Sequence, residues 1–395
     1  MSLEKKRRVF GGPFQVEVDA IDSFKRLCLT ASDQTDGVDH ISLIKQRFQI
    51  SHNNVFRQMM GMILGYIRRN IMQSNVYAPI DTVVAVPRWY TELHLQELAD
   101  AMVIGGLNPV GFVTDIVAVA FSRGIAQSSL LADAATSRTV AFLDIGMTDS
   151  SATVASFTQT GMTIHEVVTD PDIGGRDVDR ILFQYIISQV DGESKRTPQF
   201  RSSVLRKCSE LKKEMCSSTH QAWIDLTTLT RNSSDTFLIT QSDFKNLLNE
   251  WLERVFDPLL AVVTMAGLET AELDAIELVG GSSNLFCVRE YAEQLFGDTS
   301  KISTRPEVSA AEGAARTCDL IKGRYGECAD VLYDIRTGPL TLPFRLTTSD
   351  NLGGSGNPWT PLPRDNRLDD THLVSLIETE LALEELDSLL IKTEV

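Results

Sequence analysis

The sequence predicts an α/β protein built as two lobes, and three observations carry that prediction. Short β-branched runs alternate with segments of helical periodicity over most of the 395 residues. The alternation breaks over a polar stretch, Gln127 to Arg138, and then starts again. Two apolar strands, one ending at Leu143 and one at Val279, run straight into glycine turns. Folds of this class bind ligands at the carboxyl ends of such strands.

In chain order, the first forty-odd residues are irregular. Phe10-Gly11-Gly12-Pro13-Phe14 is a turn signal, Gln15 to Val18 is β-like, and Asp33 to Asp39 is a polar loop. From about Asn54 to Met72, Val55, Met59, Ile63, Ile67 and Ile71 fall four apart on one helical face. Thr82 to Val86 is a strand stopped by Pro87. Glu92 to Ile104 is a helix closed by Gly105-Gly106, and Val110 to Val113 is the next strand. Asp115 to Arg123 is a helix rich in small residues, with Gly124 expected to end it.

The second block opens with strands Thr139 to Leu143 and Ala152 to Phe157, with Gly161 turning into a third, Thr163 to Val168. Ile173-Gly174-Gly175 introduces a helix that places Val178, Ile181, Leu182, Tyr185 and Ile186 on one face. A helix over Phe200 to Met215, strands Ala222 to Leu226 and Thr236 to Thr240, and a mostly helical Ser242 to Gly267 follow. Ala275 to Val279 is a buried strand; helices over Phe286 to Phe296 and Ser309 to Lys322 complete the block. Ser349 to Pro363 is rich in Gly, Pro, Ser and Asn and reads as linker. Asp369 to Glu394 is acidic, either an amphipathic docking helix or a disordered tail.

Net charge is −16, from 37 basic and 53 acidic side chains, a field that repels nucleic acid. A single nucleotide is compatible with it, because a nest of backbone N–H groups acts locally. No apolar run reaches the length of a membrane span, and MSLEKKRRVF lacks the apolar stretch of a secretory leader. The six cysteines form no CxxC pair or zinc-type cluster, which fits a reducing, cytoplasmic setting. The six histidines are scattered.

Three stretches bear on chemistry. Leu143 to Ser151, LDIGMTDSS, lies where a phosphate loop should open, yet it has one glycine, Gly146, followed by Met147, Thr148 and Asp149. Gly280-Gly281-Ser282-Ser283 allows close backbone approach to a ligand. Glu210, Lys213 and Ser217 share a helical face: either a polar seam for a ring with hydrogen-bonding edges, or an exposed salt-bridged surface.

In this order, these stretches resemble the nucleotide-binding domain of the Hsp70 superfamily. The match also includes GGPFQVEV, VAVPRWY, DAMVIGGLNPV, VAVAFSRG, IGGRDVD and RPEVSAAEGAA, and it covers roughly residues 9 to 325. IGGRDVD and SELKKEMCSS have the character of the Hsp110 branch. The resemblance implies an actin-like ATPase fold with two lobes around a nucleotide cleft. Residues 1–128 would form an incomplete lobe I and 139–325 lobe II. A linker over 326–363 and an acidic tail over 364–395 would follow. It implies ATP or ADP as ligand, with Mg possible. It places Glu210, Lys213 and Ser217 beside the adenosine, Gly280, Gly281 and Ser282 against the adenosine and α-phosphate, and Glu307 near the nucleoside. Asp144 would help hold hydrated magnesium, with Gly146 in the phosphate loop.

The catalytic half departs from the family pattern. Its first glycine-threonine loop, the lysine after it and the substrate-binding domain are expected to be missing from this chain. Asp149 puts a carboxylate where phosphate should sit, and Ser151 replaces a second metal-site carboxylate. Ile116 follows Asp115 where the family has proline, Leu95 stands where arginine is common, and Glu214 stands where a basic residue stacks on adenine. Phosphoryl transfer rests on positioning and charge neutralisation. No residue is therefore assigned as catalytic, and no turnover is expected. The implied role is a co-chaperone or nucleotide-exchange factor for a conventional Hsp70. A generic chaperone ATPase, a decayed scaffold and, remotely, a sugar or acetate kinase are the alternatives.

Overall fold

The computed structural model describes residues 55–71, 80–128, 136–158, 161–190, 197–216, 220–230, 235–297, 299–305, 310–321 and 334–337. The expected turn at Phe10 to Phe14, the strand at Gln15 to Val18, the linker over Ser349 to Pro363 and the acidic segment Asp369 to Glu394 lie outside them.

The first block holds α1 (Val55–Ile71), β1 (Ile80–Val86), α2 (Glu92–Ile104), β2 (Leu107–Thr114) and α3 (Asp115–Ser128). β1 and β2 pair in parallel, with a register shift between Thr82 and Val83. The shift follows from Pro109, opposite Thr82, which has no N–H to give the ladder. α2 begins with a capping box in which the Thr91 side chain accepts from the His94 N–H. α3 runs four residues past Gly124, so the expected stop at that glycine does not occur. A glycine inside a helix costs only about 1 kcal/mol, which tertiary packing overrides.

The second block contains β3 (Arg138–Ile145), β4 (Ser150–Phe157), β5 (Gly161–Asp170), α4 (Gly175–Gln189), α5 (Pro198–Cys216), β6 (Gln221–Asp225), α6 (Thr227–Thr230) and β7 (Thr236–Thr240). It continues with α7 (Gln241–Leu247), α8 (Asn249–Met265), β8 (Ala275–Val279), α9 (Phe286–Phe296), β9 (Ile302–Arg305), α10 (Ala310–Ile321) and β10 (Asp334–Thr337). Six strands form one sheet in the order β10-β5-β4-β3-β8-β9. β3 is antiparallel to β4 and parallel to β8, so hairpins build one half and helical crossovers the other. This is the actin-like arrangement the motifs predict. β10, parallel to β5, places four residues of the expected linker in the sheet.

The central strands are buried on both faces, and period-two alternation sorts their side chains. Ala141, Leu143, Ile145, Val154, Ile276 and Leu278 share one core with Val178, Leu182, Val204, Leu211, Trp251 and Phe256. Val140, Phe142, Phe157, Ile164 and Val279 face the other way, onto Ile116, Val119, Phe121 and Ala314. Val83 and Val113 join this second core. α3 and α10 are thus a layer between the large sheet and the β1–β2 pair. A third, small core holds Phe56, Val86, Tyr90, Leu95, Leu98 and Met102. Leu95, where the family often has arginine, is therefore a packing residue here.

Two polar contacts pin the middle layer. Arg123 donates from Nε and Nη2 to the two carboxylate oxygens of Glu277, at 2.8 and 3.1 Å, and Glu277 is buried in β8. Ser122 donates to Glu312 at 2.9 Å, tying α3 to α10. The helices cross closely at Gly313: a Cβ there would overlap the Ala118 carbonyl. Among the described residues no helix is long and apolar enough to cross a membrane.

Gly313→Ala tests this crossing. In an ordinary helix interior the change stabilises by roughly 0.5–1 kcal/mol. Here it should destabilise by about 1–3 kcal/mol, the usual cost of overpacking, measured by denaturant unfolding.

Candidate functional site

Three turns meet at the carboxyl end of the large sheet. The first, Gly146–Asp149, joins β3 to β4; the second, Ile173–Gly174, starts α4; the third, Gly280–Asn284, follows β8. Contact between them is largely backbone on backbone. A Cβ on Gly174 would lie 2.7 Å from the Met147 carbonyl and the Thr148 nitrogen. Gly280 has φ of 83°, and a Cβ there would lie 2.6 Å from the Ile145 carbonyl oxygen and overlap Asp144 Oδ1. Only glycine fits either position.

Hydrogen bonds then lock the turns together. Gly175 N–H donates to Gly146 O at 2.9 Å and Arg176 N–H to Met147 O at 2.8 Å. The Ser282 hydroxyl donates to Gly146 O at 3.1 Å. The Trp251 indole donates to Gly174 O at 3.0 Å. From α5, Lys212 Nζ donates to Gly175 O at 2.7 Å and to Asp179 Oδ2 at 2.8 Å.

Of the predicted site residues, Asp144, Gly146, Gly280 and Ser282 come together at this junction. Gly281 lies beside them, exposed, with open space where its Cβ would be. Glu210 and Lys213 make no hydrogen bond to these turns among the described residues. Glu210 is exposed and takes an ion pair from Arg206, one turn away on the outer surface, at 2.7 Å. Lys213 is exposed too, and the lysine turned toward the glycine start of α4 is its neighbour Lys212. The cause is the core face of α5. Val204, Cys208, Leu211 and Met215 are all buried, which sets residue 213 half a turn away from the core and 212 at its flank. That apolar quartet is the signal in the sequence. Ser217 and Glu307 lie outside the described residues.

The substituted positions of the loop are internally bonded. Thr148 donates to Asp149 Oδ1 at 3.1 Å, and both residues are buried. Ser151, in place of a carboxylate, shares a hydrogen bond with Thr169 across the β4–β5 ladder at 2.9 Å. Ser150 donates to the Val255 carbonyl of α8 at 3.0 Å. Asp115 is buried and accepts from the Ile116 N–H at 2.8 Å. Glu214 lies on the exposed side of α5.

The resemblance implies magnesium at Asp144. Among the described residues no three carboxylate, histidine or cysteine side chains converge where an ion would sit. Hydrated magnesium needs no such cage, being held by one or two carboxylates, water and substrate phosphates; Asp144 is the carboxylate that would meet it at this junction.

Electrostatics here centre on the Lys212–Asp179 pair, with both side chains mostly buried. Burial pushes the Asp179 carboxyl above its ordinary value, and the Lys212 ammonium pulls the other way. Burial and then the Asp179 charge push the Cys208 thiol up to about 12. Burial likewise raises Cys287 to about 12. Neither thiol supplies a thiolate near neutral pH, so cysteine nucleophile chemistry has no place at this junction.

Removing one partner of the pair leaves a charge stranded. Asp179→Ala should destabilise by about 3 kcal/mol, whereas Asp179→Leu combined with Lys212→Met should recover most of that. The pH dependence has a definite sign. A carboxyl whose folded pKa is raised contributes stability that is fully present below its unfolded value, about 3.8, and is lost as pH rises through the folded value. Asp179→Asn should remove that component from a plot of unfolding free energy against pH.

The comparisons with known proteins agree with this geometry. The Hsp70 protein family model matches residues 8–381. The chain is 27% identical to a heat shock protein homologue of Lachancea kluyveri over 265 residues, 66% of this chain and 38% of that protein. It is 26% identical to the corresponding heat shock protein homologue of Saccharomyces cerevisiae over the same shares. It is 24% identical to the 97 kDa heat shock protein of Strongylocentrotus purpuratus over 300 residues, 74% of this chain and 34% of that protein. The chain thus spans under two-fifths of the length of the curated relatives it matches. With the mixed six-stranded sheet, the glycine turns and a family match over most of its length, the chain belongs to the Hsp70 family, and its relatives lie on the Hsp110 side of it.

Proposed function

We propose that this protein serves the chaperone system without turning over ATP, acting in the cytoplasm as a co-chaperone or nucleotide-exchange factor for a conventional Hsp70. The observation that carries this reading is the rewritten loop between β3 and β4. Asp149 is buried where a phosphate would need a donor, and Ser151 is bonded into the ladder to Thr169. Each preorganised donor or charge lost from a site of this kind costs roughly 3–4 kcal/mol of barrier, on the order of a hundredfold in rate. Two such changes in one loop leave little hydrolysis.

The packing between the two blocks supports a partner-directed role. The two halves of the described chain are joined by the α3–α10 layer, closely packed at Gly313 and pinned by Arg123–Glu277. These contacts link the first block to the large sheet. Relatives named as heat shock proteins fit that role, and any weak ATP or ADP binding would be vestigial. General binding to nucleic acid does not fit a net charge of −16.

The test uses the full chain and a conventional Hsp70 loaded with fluorescent ADP. The expected outcome is ADP release accelerated about tenfold or more in stopped flow, with no single-turnover ATP hydrolysis by the chain alone. Hydrolysis at a rate typical of the family would sink this reading in favour of a generic chaperone ATPase. No effect on release and no hydrolysis would leave a scaffold.

A further inference from the structure

The acidic stretch 369–394 lies outside the described residues, and its sequence states what it would bind. It carries eight carboxylates and one lysine, a net −7 within a chain of −16. Leu376, Leu383 and Leu390 recur seven apart among those carboxylates, and Leu373 and Leu386 stand three residues from two of them. A surface that matches this pattern must offer basic groups around an exposed apolar side chain.

Among the described helices only α1 and α5 carry more basic than acidic side chains. α1 is committed elsewhere: Arg57 pairs with Glu97 and Asp100 of α2, and Arg68 lies against Gly106. α5 has five basic and two acidic residues in 19. Arg201, Leu205, Ser209 and Lys213 fall four apart along it, with Arg206 beside them. Of these, Arg201, Leu205, Arg206 and Lys213 are exposed.

The cations of this row are available. Arg201 lies over the Phe183 ring at 4.9 Å and makes no ion pair among the described residues. Lys213 makes none either. Arg206 holds Glu210 at 2.7 Å on the surface, where water screens the pair and another carboxylate can take its place. The connection is long enough. β10 ends at Thr337, and 31 residues separate it from Asp369. They allow a reach of up to about 100 Å, against a length of about 28 Å for α5. A ligand tethered in this way needs little intrinsic affinity.

We propose that the acidic segment 369–394 docks within its own chain on the outer face of α5, with carboxylates on Arg201, Arg206 and Lys213 and leucines against Leu205. The docked segment shields the basic helix, so an acidic partner reaches α5 only by displacing it.

The test is carbodiimide cross-linking of the full chain, which joins lysine amines to neighbouring carboxylates, read by peptide mass spectrometry on a mixture of isotope-labelled and unlabelled protein. Links from Lys207 or Lys213 to carboxylates of 369–394 are expected within one chain. They should fall about fivefold or more at 1 M salt, where the screening length is about 3 Å. Arg201→Glu with Arg206→Glu leaves both lysines in place and should lower the yield about fivefold. Adding Glu384→Arg and Glu385→Arg to that pair should restore it. The absence of links to α5, or a yield unchanged by the paired arginine substitutions, would overturn the proposal. So would failure of the charge swap to restore the links while circular dichroism stays level. Links found only between labelled and unlabelled chains would overturn it as well, assigning this face of α5 to a second copy.

Discussion

The contact on which the site depends is a packing of backbone against backbone that only glycine permits. Gly174 lies against Met147 and Thr148, and Gly280 lies against Asp144 and Ile145. Side chains larger than hydrogen would separate the β3–β4 turn from the start of α4 and from the turn after β8. With that separation the short bonds from Gly175, Arg176 and Ser282 would be lost together, because each spans two of the three turns. Lys212 and Trp251 reach the same place from α5 and α8, each through a carbonyl of the Gly174-Gly175 pair. The absence of a side chain at two glycines therefore sets the position of the helices and strands around them.

Such a junction is partly satisfied within the chain. Phosphate sites usually leave N–H groups unsatisfied, to be met when the anion arrives. Here the Gly146 and Met147 carbonyls of the neighbouring loop meet two of those at the start of α4, from Gly175 and Arg176. The low dielectric that makes an unmet donor costly also makes the met ones firm. The β3–β4 loop is bonded within itself through Thr148 and Asp149 and to α4 through the Gly146 and Met147 carbonyls. That is why the fold accommodates Asp149 and Ser151: both side chains have partners inside it.

Much of the fold is legible in the sequence because its signals are local and periodic. Strands β3, β4 and β8 and helices α2 and α9 stand within a few residues of where alternation, helical spacing and glycine stops put them. The departures have physical causes. Gly124 has the character of a terminator, but α3 is packed between two sheets and that burial outweighs the glycine's intrinsic cost. Spacing from Glu210 does not fix how a helix is rotated; the buried Val204, Cys208, Leu211 and Met215 do, and they turn Lys212 toward the start of α4. The glycine turns are recognisable as close approaches, but not what they approach. The partners, Asp144 and Met147, are distant in sequence from Gly280 and Gly174, and no local pattern joins them. The pairs Lys212–Asp179 and Arg123–Glu277 are hidden in the sequence for the same reason.

On the proposed reading, the economy of the substitutions would let a chain lose phosphoryl transfer and keep this architecture. Catalytic terms are large because they act on a developing charge in a water-excluded place, roughly 3–4 kcal/mol for one donor. Stability terms at the same positions are small, about 1 kcal/mol for a hydrogen bond exchanged between water and protein. On that reading, a serine at 151 in place of a metal-site carboxylate would remove much from the barrier side. On the stability side it exchanges one acceptor for a hydroxyl that bonds Thr169. The core beneath is indifferent to the change, because Ala152 and Val154 on the same strand are packed against the α4–α8 face whatever stands at the loop. Binding and fold then part company along the chain. The sheet and its helices are held by apolar burial, and the loop above them is free to change its chemistry so long as its polar atoms find partners within the protein.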